Sequence, residues 1–251
     1  MADEAKSGGI HRLPTIGLLL GLVPVLIYLG MTLAYRLDLI SFSVIFRSWP
    51  WLIPVLMGAV VLMAVAAVWF IFTRRVGSGL VAIMGALAAA AMIMGPTQMR
   101  AQGAQVPPIH DISTDVENPP AFVVTAAQRT PDDNPPAYDA GQTAQQLEAY
   151  PDLQSIEVSA SPDQAFGACV AAAEAIGLKI VDESPEEGRL EGTATSRWFG
   201  FKDDVVFRLR PTDDGGTVID IRSKSRTGRS DLGVNAARIR QLREEIEAAL
   251  E

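Results

Sequence analysis

Polar side chains almost vanish from three stretches of the first hundred residues, and their spacing changes after residue 150. Ile16–Tyr35 is an uncharged run of 20 residues, and Trp49–Phe72 is one of 24. Leu80–Met94 adds fifteen apolar or small residues, flanked by Gly77–Gly79 and Gly95–Pro96. Crossing about 30 Å of hydrocarbon takes about 20 helical residues, so the pattern predicts three membrane-spanning helices within 16–96, behind an N-terminal tail of residues 1–15. The third run is shortest and rich in small residues. Gly85, Ala86 and Ala88–Ala91 would let neighbouring helices approach closely. The first run is long, lacks a convincing small-residue cleavage site and is followed by two more, so it reads as a span and not a signal peptide.

The next region, 97–152, is punctuated by proline. Pro96–Pro151 holds nine of the sixteen prolines, paired at Pro107–Pro108, Pro119–Pro120 and Pro135–Pro136. Proline lacks an N–H and biases the preceding residue away from helix, so this segment is expected to be extended or looping, with a brief helix at Thr143–Tyr150. A flexible linker would be richer in Gly and Ser. Ile109, Ile112, Phe122, Val123 and Val124 instead imply that the segment lies partly along the domain that follows.

From 153 to 251 the pattern is regular. Ser155–Ser159 alternates as a strand. Ser161, Pro162 and Gln164 form a helix start with a capping box, and Phe166, Cys169, Val170, Ala173 and Ile176 give that helix one apolar stripe before Gly177 ends it. Strands are predicted at Leu178–Glu183, Arg189–Arg197, Asp204–Arg210 and Thr217–Ser225, with turns at Pro185–Gly188, Gly200–Asp203 and Pro211–Gly216. A final helix runs from about Asp231 to Leu250, carrying Leu232, Ala236, Ile239, Leu242, Ile246 and Leu250 on one side. Strand, helix, four strands, helix, with short connections, predicts an α+β domain: an antiparallel sheet of about five strands with two helices on one face. The order resembles helix-grip and TBP-like domains. Alternation sends Val205, Phe207, Leu209, Ile219 and Ile221 toward the helices. Thr193, Thr195, Arg197, Arg208, Arg210, Asp220, Arg222 and Lys224 fall on the opposite face, expected to be open.

Charge sharpens this picture. A mean hydropathy of +0.21 over 251 residues is too apolar for an ordinary soluble domain, and the net charge of −8 is unevenly distributed. Asp111–Glu191 carries 16 acidic and three basic residues, whereas Arg197–Arg243 carries 11 basic and six acidic. The basic stretch reads either as a solvated face or as a patch for a polyanionic partner. Nucleic acid is not among the expected partners. The lipid bilayer is, together with an envelope component or a membrane-protein partner. With three spans, Lys6, Arg12, Arg74 and Arg75 share one side, and Arg36, Arg47 and Arg100 the other. The adjacent Arg74–Arg75 pair tips the expectation toward a cytoplasmic N-terminus and a periplasmic C-terminal domain in the inner (plasma) membrane.

The densest chemistry lies in DIRSKSRTGRSDLGVN, Asp220–Asn235, a strand end, a Gly/Ser/Arg turn and a helix start. Together with IHDISTD (Ile109–Asp115), NPPAF (Asn118–Phe122) and FGFKDDVVFRLRP (Phe199–Pro211), it resembles the uncharacterised family named domain of unknown function 1499. The likeness covers about 140 residues and leaves the three spans outside it. It implies envelope or organelle-lumen proteins, some membrane-anchored, and it implies no activity or ligand.

Arg208, Arg222, Ser225, Arg226, Arg229 and Ser230 are candidates for binding an anion or a partner, because helix N–H groups and guanidinium forks both favour negative charge. The competing expectation is internal: Asp231 occupies the helix end, while Asp111, Asp115, Asp203 and Asp204 pair with the arginines of the Asp220–Asn235 stretch (Arg222, Arg226 and Arg229) and pin the N-terminal segment onto the domain. His110 with Asp111 and Asp115 is the only constellation fit for acid–base work, and it defines the alternative of a membrane-anchored hydrolase acting on an anionic substrate. No Cys/His cluster has zinc spacing and no phosphate loop, dinucleotide fingerprint or nucleophile elbow occurs, so neither metal nor cofactor is expected. Cys169, the only cysteine, excludes an intramolecular disulfide and reads as a core residue. Trp198, Phe199 and Phe201 beside Lys202 suit the end of a small core, or else a membrane interface. The leading expectation is a non-enzymatic binding or structural module of the envelope.

Overall fold

The computed structural model describes residues 13–197 and 199–251, so Lys6, His11, Arg12 and Trp198 lie outside the described residues. The chain divides into two compact units, 1–101 and 102–251.

In the first unit, each apolar run forms a helix: α1 (Leu13–Arg36), α2 (Phe42–Phe72) and α3 (Val76–Gly103), all long and apolar enough to cross a membrane. Each helix buries one stripe and exposes leucine, valine, isoleucine and methionine on the remaining surface, as a lipid-facing helix does. Small residues set the packing. A Cβ on Gly21 would lie 2.6 Å from Met63 Cγ, and one on Gly85 would lie 2.6 Å from Met63 Sδ, so α1 and α3 approach the Met63 side chain of α2 only because both positions are glycine. Ala82 and Ala89 are buried on α3 beside this contact stripe, while Ala91 is exposed. Helix α3 continues through Pro96 to Gly103, where extended chain was expected. Proline removes only its own N–H bond, and the turn after it still closes. The Thr97 hydroxyl donates to the carbonyls of Ile93 and Met94 across that turn.

The second unit is an antiparallel sheet with two long helices on one face. Its strands are β1 (Asp111–Ser113), β2 (Ile156–Val158), β3 (Lys179–Ser184), β4 (Arg189–Thr195), β5 (Lys202–Pro211) and β6 (Thr217–Ser225). They are ordered β1-β6-β5-β4-β3, with β2 also on β6. The sheet has six strands where about five were expected, because Asp111–Ser113 pairs with Arg222–Lys224. The proline-rich segment therefore contributes a strand, followed by the short helices α4 (Val124–Ala127) and α5 (Thr143–Ala149). The packed helices are α6 (Pro162–Ala175) and α7 (Val234–Leu250).

Helix α6 starts as its sequence dictates. The Ser161 hydroxyl accepts from Gln164 N, and the Gln164 side chain accepts from Ser161 N. Helix α7 begins three residues later than expected, after Gly233 in the left-handed region. The tight β3–β4 turn needs glycine at 188, where φ is +59° and a side chain would collide with the Leu209 carbonyl.

The core forms where alternation placed it. Leu190, Val205, Phe207, Leu209, Ile219 and Ile221 meet Phe166, Cys169, Ala172, Ala236, Ile239, Leu242 and Ile246 of the two helices. Ile109 and Ile112, from the proline-rich segment, are fully buried in the same cluster. Cys169 sits within it, and burial pushes its thiol up to about 12.

Candidate functional site

The second face of the sheet carries the charged residues, and the register fixes their rows. Asp111, Lys224, Asp204 and Thr193 lie side by side across β1, β6, β5 and β4. The next row holds Ser113, Arg222, Val206 and Glu191, and the one after it Asp220, Arg208 and Arg189. The first row alternates in sign, and Asp220 adjoins Arg208 in the third, so opposite charges stand at cross-strand distance.

This face was expected to be open, but residues 114–139 lie over it. Arg222 is 2% exposed and every arm of its guanidinium is engaged. Its Nε and Nη2 donate to the two oxygens of Asp111 at 2.8 and 2.9 Å. Its Nη1 and Nη2 donate to the Pro120 and Pro136 carbonyls, both at 3.0 Å. The rings of Phe122 and Tyr138 lie 4.6 and 5.3 Å from the guanidinium carbon. The covering segment thus supplies both the carbonyl acceptors and the aromatic faces that a guanidinium prefers. Lys224 completes the group, with Nζ 2.6 Å from the Ala137 carbonyl and 3.0 Å from Asp111 Oδ2.

A second cluster forms around Asp204, which is fully buried. It receives Arg226 through Nε and Nη2, Arg129 through Nε, and the Thr193 hydroxyl. Arg226 also reaches the backbone and side-chain oxygens of Gln128. Arg129 donates to the carbonyls of Asn134 and Lys224. Glu191, also fully buried, accepts from the backbone N–H groups of Val123, Val124 and Thr125, from the Thr125 hydroxyl and from Arg189. It takes up the amides at the start of α4, which has no side-chain cap of its own. On the outer row Arg208 bridges Asp115 and Asp220, and Arg210 joins Asp220.

Ionisation follows from these contacts. Burial opposes the charge on Asp111, but its bonds to Arg222 and the nearby Lys224 outweigh that and hold the carboxyl below its ordinary range. Glu191 is likewise lowered, burial being overcome by the hydroxyl and amides of residues 123–125. Lys224 is lowered because burial outweighs Asp111.

The remaining candidates fall into two groups. Ser225 is buried and structural: its N–H donates to the His110 carbonyl, and its hydroxyl accepts from Asn235. Ser230 accepts from Leu232 N, while Asp231 accepts from Gly233 and Asn235 N and so occupies the start of α7 itself. Arg229 is exposed on the turn and makes no ion pair among the described residues. His110 is half-buried, its Nδ1 3.2 Å from Gln142 Nε2. Burial, then Lys224, lowers its pKa, so the ring is neutral at pH 7. His110 and Asp111 are adjacent in sequence, yet Asp111 faces Arg222 and Lys224 and Asp115 faces Arg208, so the three do not share a reactive cleft. Among the described residues no His, Cys, Asp and Glu cluster is arranged to hold a metal ion. An open hollow lies near the far end of the domain, lined by Val158, Gln164, Gly167, Ala171, Glu247 and Leu250.

Of the four aspartates expected to pair, Asp111, Asp115 and Asp204 take Arg222, Arg208 and Arg226, while Asp203 takes Arg238 of α7. Arg129, Glu191, Gln128 and Gln142 were not anticipated. Arg129 carried one signal, as the sole cation in the acidic stretch from 111 to 178.

The geometry defines a class: an α+β domain following three apolar helices, with its charged sheet face sealed by its own proline-rich segment. The chain belongs to the family described as protein of unknown function (DUF1499), whose model matches residues 111–246. No curated protein matches it. Two solved structures show faint likeness. The crystal structure of TTHA0849 from Thermus thermophilus is 10% identical, covers 39% of this chain and 97% of its own, and has a TM-score of 0.25. That of Ara h 8.0201 is 11% identical, covers 38% and 95%, and has a TM-score of 0.21. A likeness this distant carries neither fold nor function to this chain.

Proposed function

We propose that this is a multi-pass protein of the inner (plasma) membrane that presents its α+β domain to the periplasm as a non-enzymatic structural module of the envelope. The observation that carries the reading is the saturation of the charged face. Arg208, Arg222 and Arg226 meet Asp115, Asp111 and Asp204 of the same domain, leaving Arg229 as the exposed arginine of the motif. A ligand site keeps donors in reserve for its ligand, whereas here the donors hold the chain's own segment in place. His110 is tied to Gln142, and among the described residues no carboxylate is hydrogen-bonded to its ring, as one would be in the general base of a hydrolase.

The orientation rests on Arg74 and Arg75, which adjoin each other between α2 and α3 and favour the cytoplasmic side. A phosphatase reporter fused after Glu251 is expected to be active. An inactive phosphatase with an active cytoplasmic reporter at the same position would reverse the topology. For the role itself, full-length protein with Arg226→Ala is expected to lose stability, while Arg229→Ala keeps both stability and co-purifying components. Loss of a specific co-purifying component on Arg229→Ala, with folding intact, would replace the structural reading with a binding one.

A further inference from the structure

The three apolar helices share one reference layer. Gly21 of α1 and Gly85 of α3 both lie against the Met63 side chain of α2, and Gly85 also adjoins Leu22. The links between the helices are short, so α1 and α3 run one way and α2 the other. Arg36 lies 15 residues beyond Gly21 and Arg100 lies 15 beyond Gly85. Both are therefore about 22 Å from the Met63 layer, on the same side of it. Arg47 reaches this level through the aromatic rings around it. The centroids of Tyr35 and Phe42 are 6.1 Å apart, those of Phe42 and Trp49 6.4 Å, and those of Phe46 and Trp49 5.7 Å. The opposite level is set by Arg74 and Arg75, 11 and 12 residues past Met63. It lies roughly 17 Å the other way.

The two arginine levels are thus about 40 Å apart, the thickness of a bilayer with its headgroups. With Arg74 and Arg75 in one headgroup layer, Arg36, Arg47 and Arg100 fall in the other. Asp38 is the sole carboxylate among residues 13–101, so the α1–α2 end carries three cations against one anion. Arg36 and Asp38 are already engaged. Arg47 and Arg100 are exposed and make no ion pair among the described residues. The other exposed side chains of this end are apolar: Leu37 and Phe46 are each 59% exposed, Leu39 72% and Trp51 79%. Exposed cations among exposed apolar and aromatic side chains fit the boundary between hydrocarbon and anionic headgroups, which accommodates both.

We propose that the α1–α2 end of the bundle recruits anionic phospholipids, with Arg47 and Arg100 taking the phosphate groups and Trp49 and Trp51 seated at the chain–headgroup boundary. The proposal rests on the membrane-spanning reading above, and the test separates the two. Full-length protein with Trp69→Phe and Trp198→Phe, which keeps Trp49 and Trp51, is reconstituted in vesicles of equal parts phosphatidylcholine and phosphatidylglycerol. Bromine is carried on the acyl chains of one lipid or of the other, and tryptophan quenching is compared. Quenching by neither lipid defeats the spanning reading. With quenching present, brominated phosphatidylglycerol is expected to be preferred about fivefold, the effect of one arginine at an anionic surface. Arg47→Gln with Arg100→Gln should bring the two lipids to near parity, and Arg47→Lys with Arg100→Lys should retain most of the preference. Equal quenching of the unsubstituted arginines' protein by both lipids, an unchanged preference in the glutamine variant, or a lost preference in the lysine variant would overturn the proposal.

Discussion

The two faces of the sheet are covered by different materials to the same depth. One face meets α6 and α7 through Phe207, Leu190, Ile221, Ile239 and Leu242, side chains without a polar atom. The other meets residues 114–139 through Arg222, Lys224, Asp111, Asp204 and Glu191, and it is nearly as inaccessible to water. The apolar face tolerates imprecision, because dispersion and hydrophobic contact are non-directional. The ionic face does not. A buried charge is stable only when each lone pair and each N–H is matched, so the covering segment is specified almost atom by atom. A proline-rich strap with few apolar side chains thus becomes an integral layer of the domain.

The harshest way to break the comparison is to delete one charge from the ionic face. Asp111→Ala strands Arg222 and Lys224 together, and is expected to cost about 3–5 kcal/mol, as much as a large cavity on the other face. Denaturant unfolding of the full-length protein in detergent checks this. Leu242→Ala, the matching lesion on the apolar face, should cost about 2–5 kcal/mol and leave the strap as protease-resistant as before. Glu191→Gln keeps one acceptor for the amides of residues 123–125 but loses the charge, with an expected cost of about 1–3 kcal/mol and earlier proteolysis near α4. Arg229→Ala, on the exposed turn, should change stability by less than about 0.5 kcal/mol.

Acid separates the faces without mutation. Asp111 and Glu191 have lowered folded values, so their stabilisation is present above the ordinary carboxyl range and is lost as pH falls through those lowered values. His110, also lowered, begins the loss sooner, because the unfolded chain takes up its proton first below about pH 6.5. Asp231, raised by burial, runs the other way: its charge costs stability as pH rises through its folded value. Asp231→Asn should therefore remove that loss while keeping an acceptor for the start of α7, readable in unfolding midpoints across roughly pH 4–7.

Much of this was legible in the residues. Run length located the three long apolar helices, and alternation placed Val205, Phe207 and Ile221 against the helices of the second unit. The opposite charges of 111–191 and 197–243 favoured internal pairing over an external anion: Asp111 and Asp204 find Arg222 and Arg226 of the Asp220–Asn235 stretch, whereas Asp115 takes Arg208 of β5 and Asp203 takes Arg238 of α7. What was not legible depends on backbone shape. Carbonyls of Pro120, Pro136 and Ala137 leave no mark in a side-chain pattern, yet they complete the shells of Arg222 and Lys224. Strand β1 is three residues long, too short for alternation to declare itself, so the sixth strand and the closure of the supposedly open face went unseen. The late start of α7 follows from left-handed turns at Leu232 and Gly233, the first of them at a residue that seldom adopts that conformation.

The central claim is that residues 111–125 are a layer of the folded domain and not a tether lying on it. Native-state amide exchange of the full-length protein measures this directly. Ile112 lies within strand β1, Thr114 N donates to the Ile221 carbonyl, and Thr125 N donates to buried Glu191. These amides are expected to exchange only with global unfolding, at rates matching those of Cys169 and Ala172 in α6. Exchange at 112–125 that is orders of magnitude faster than in α6, as in an open loop, would contradict the account.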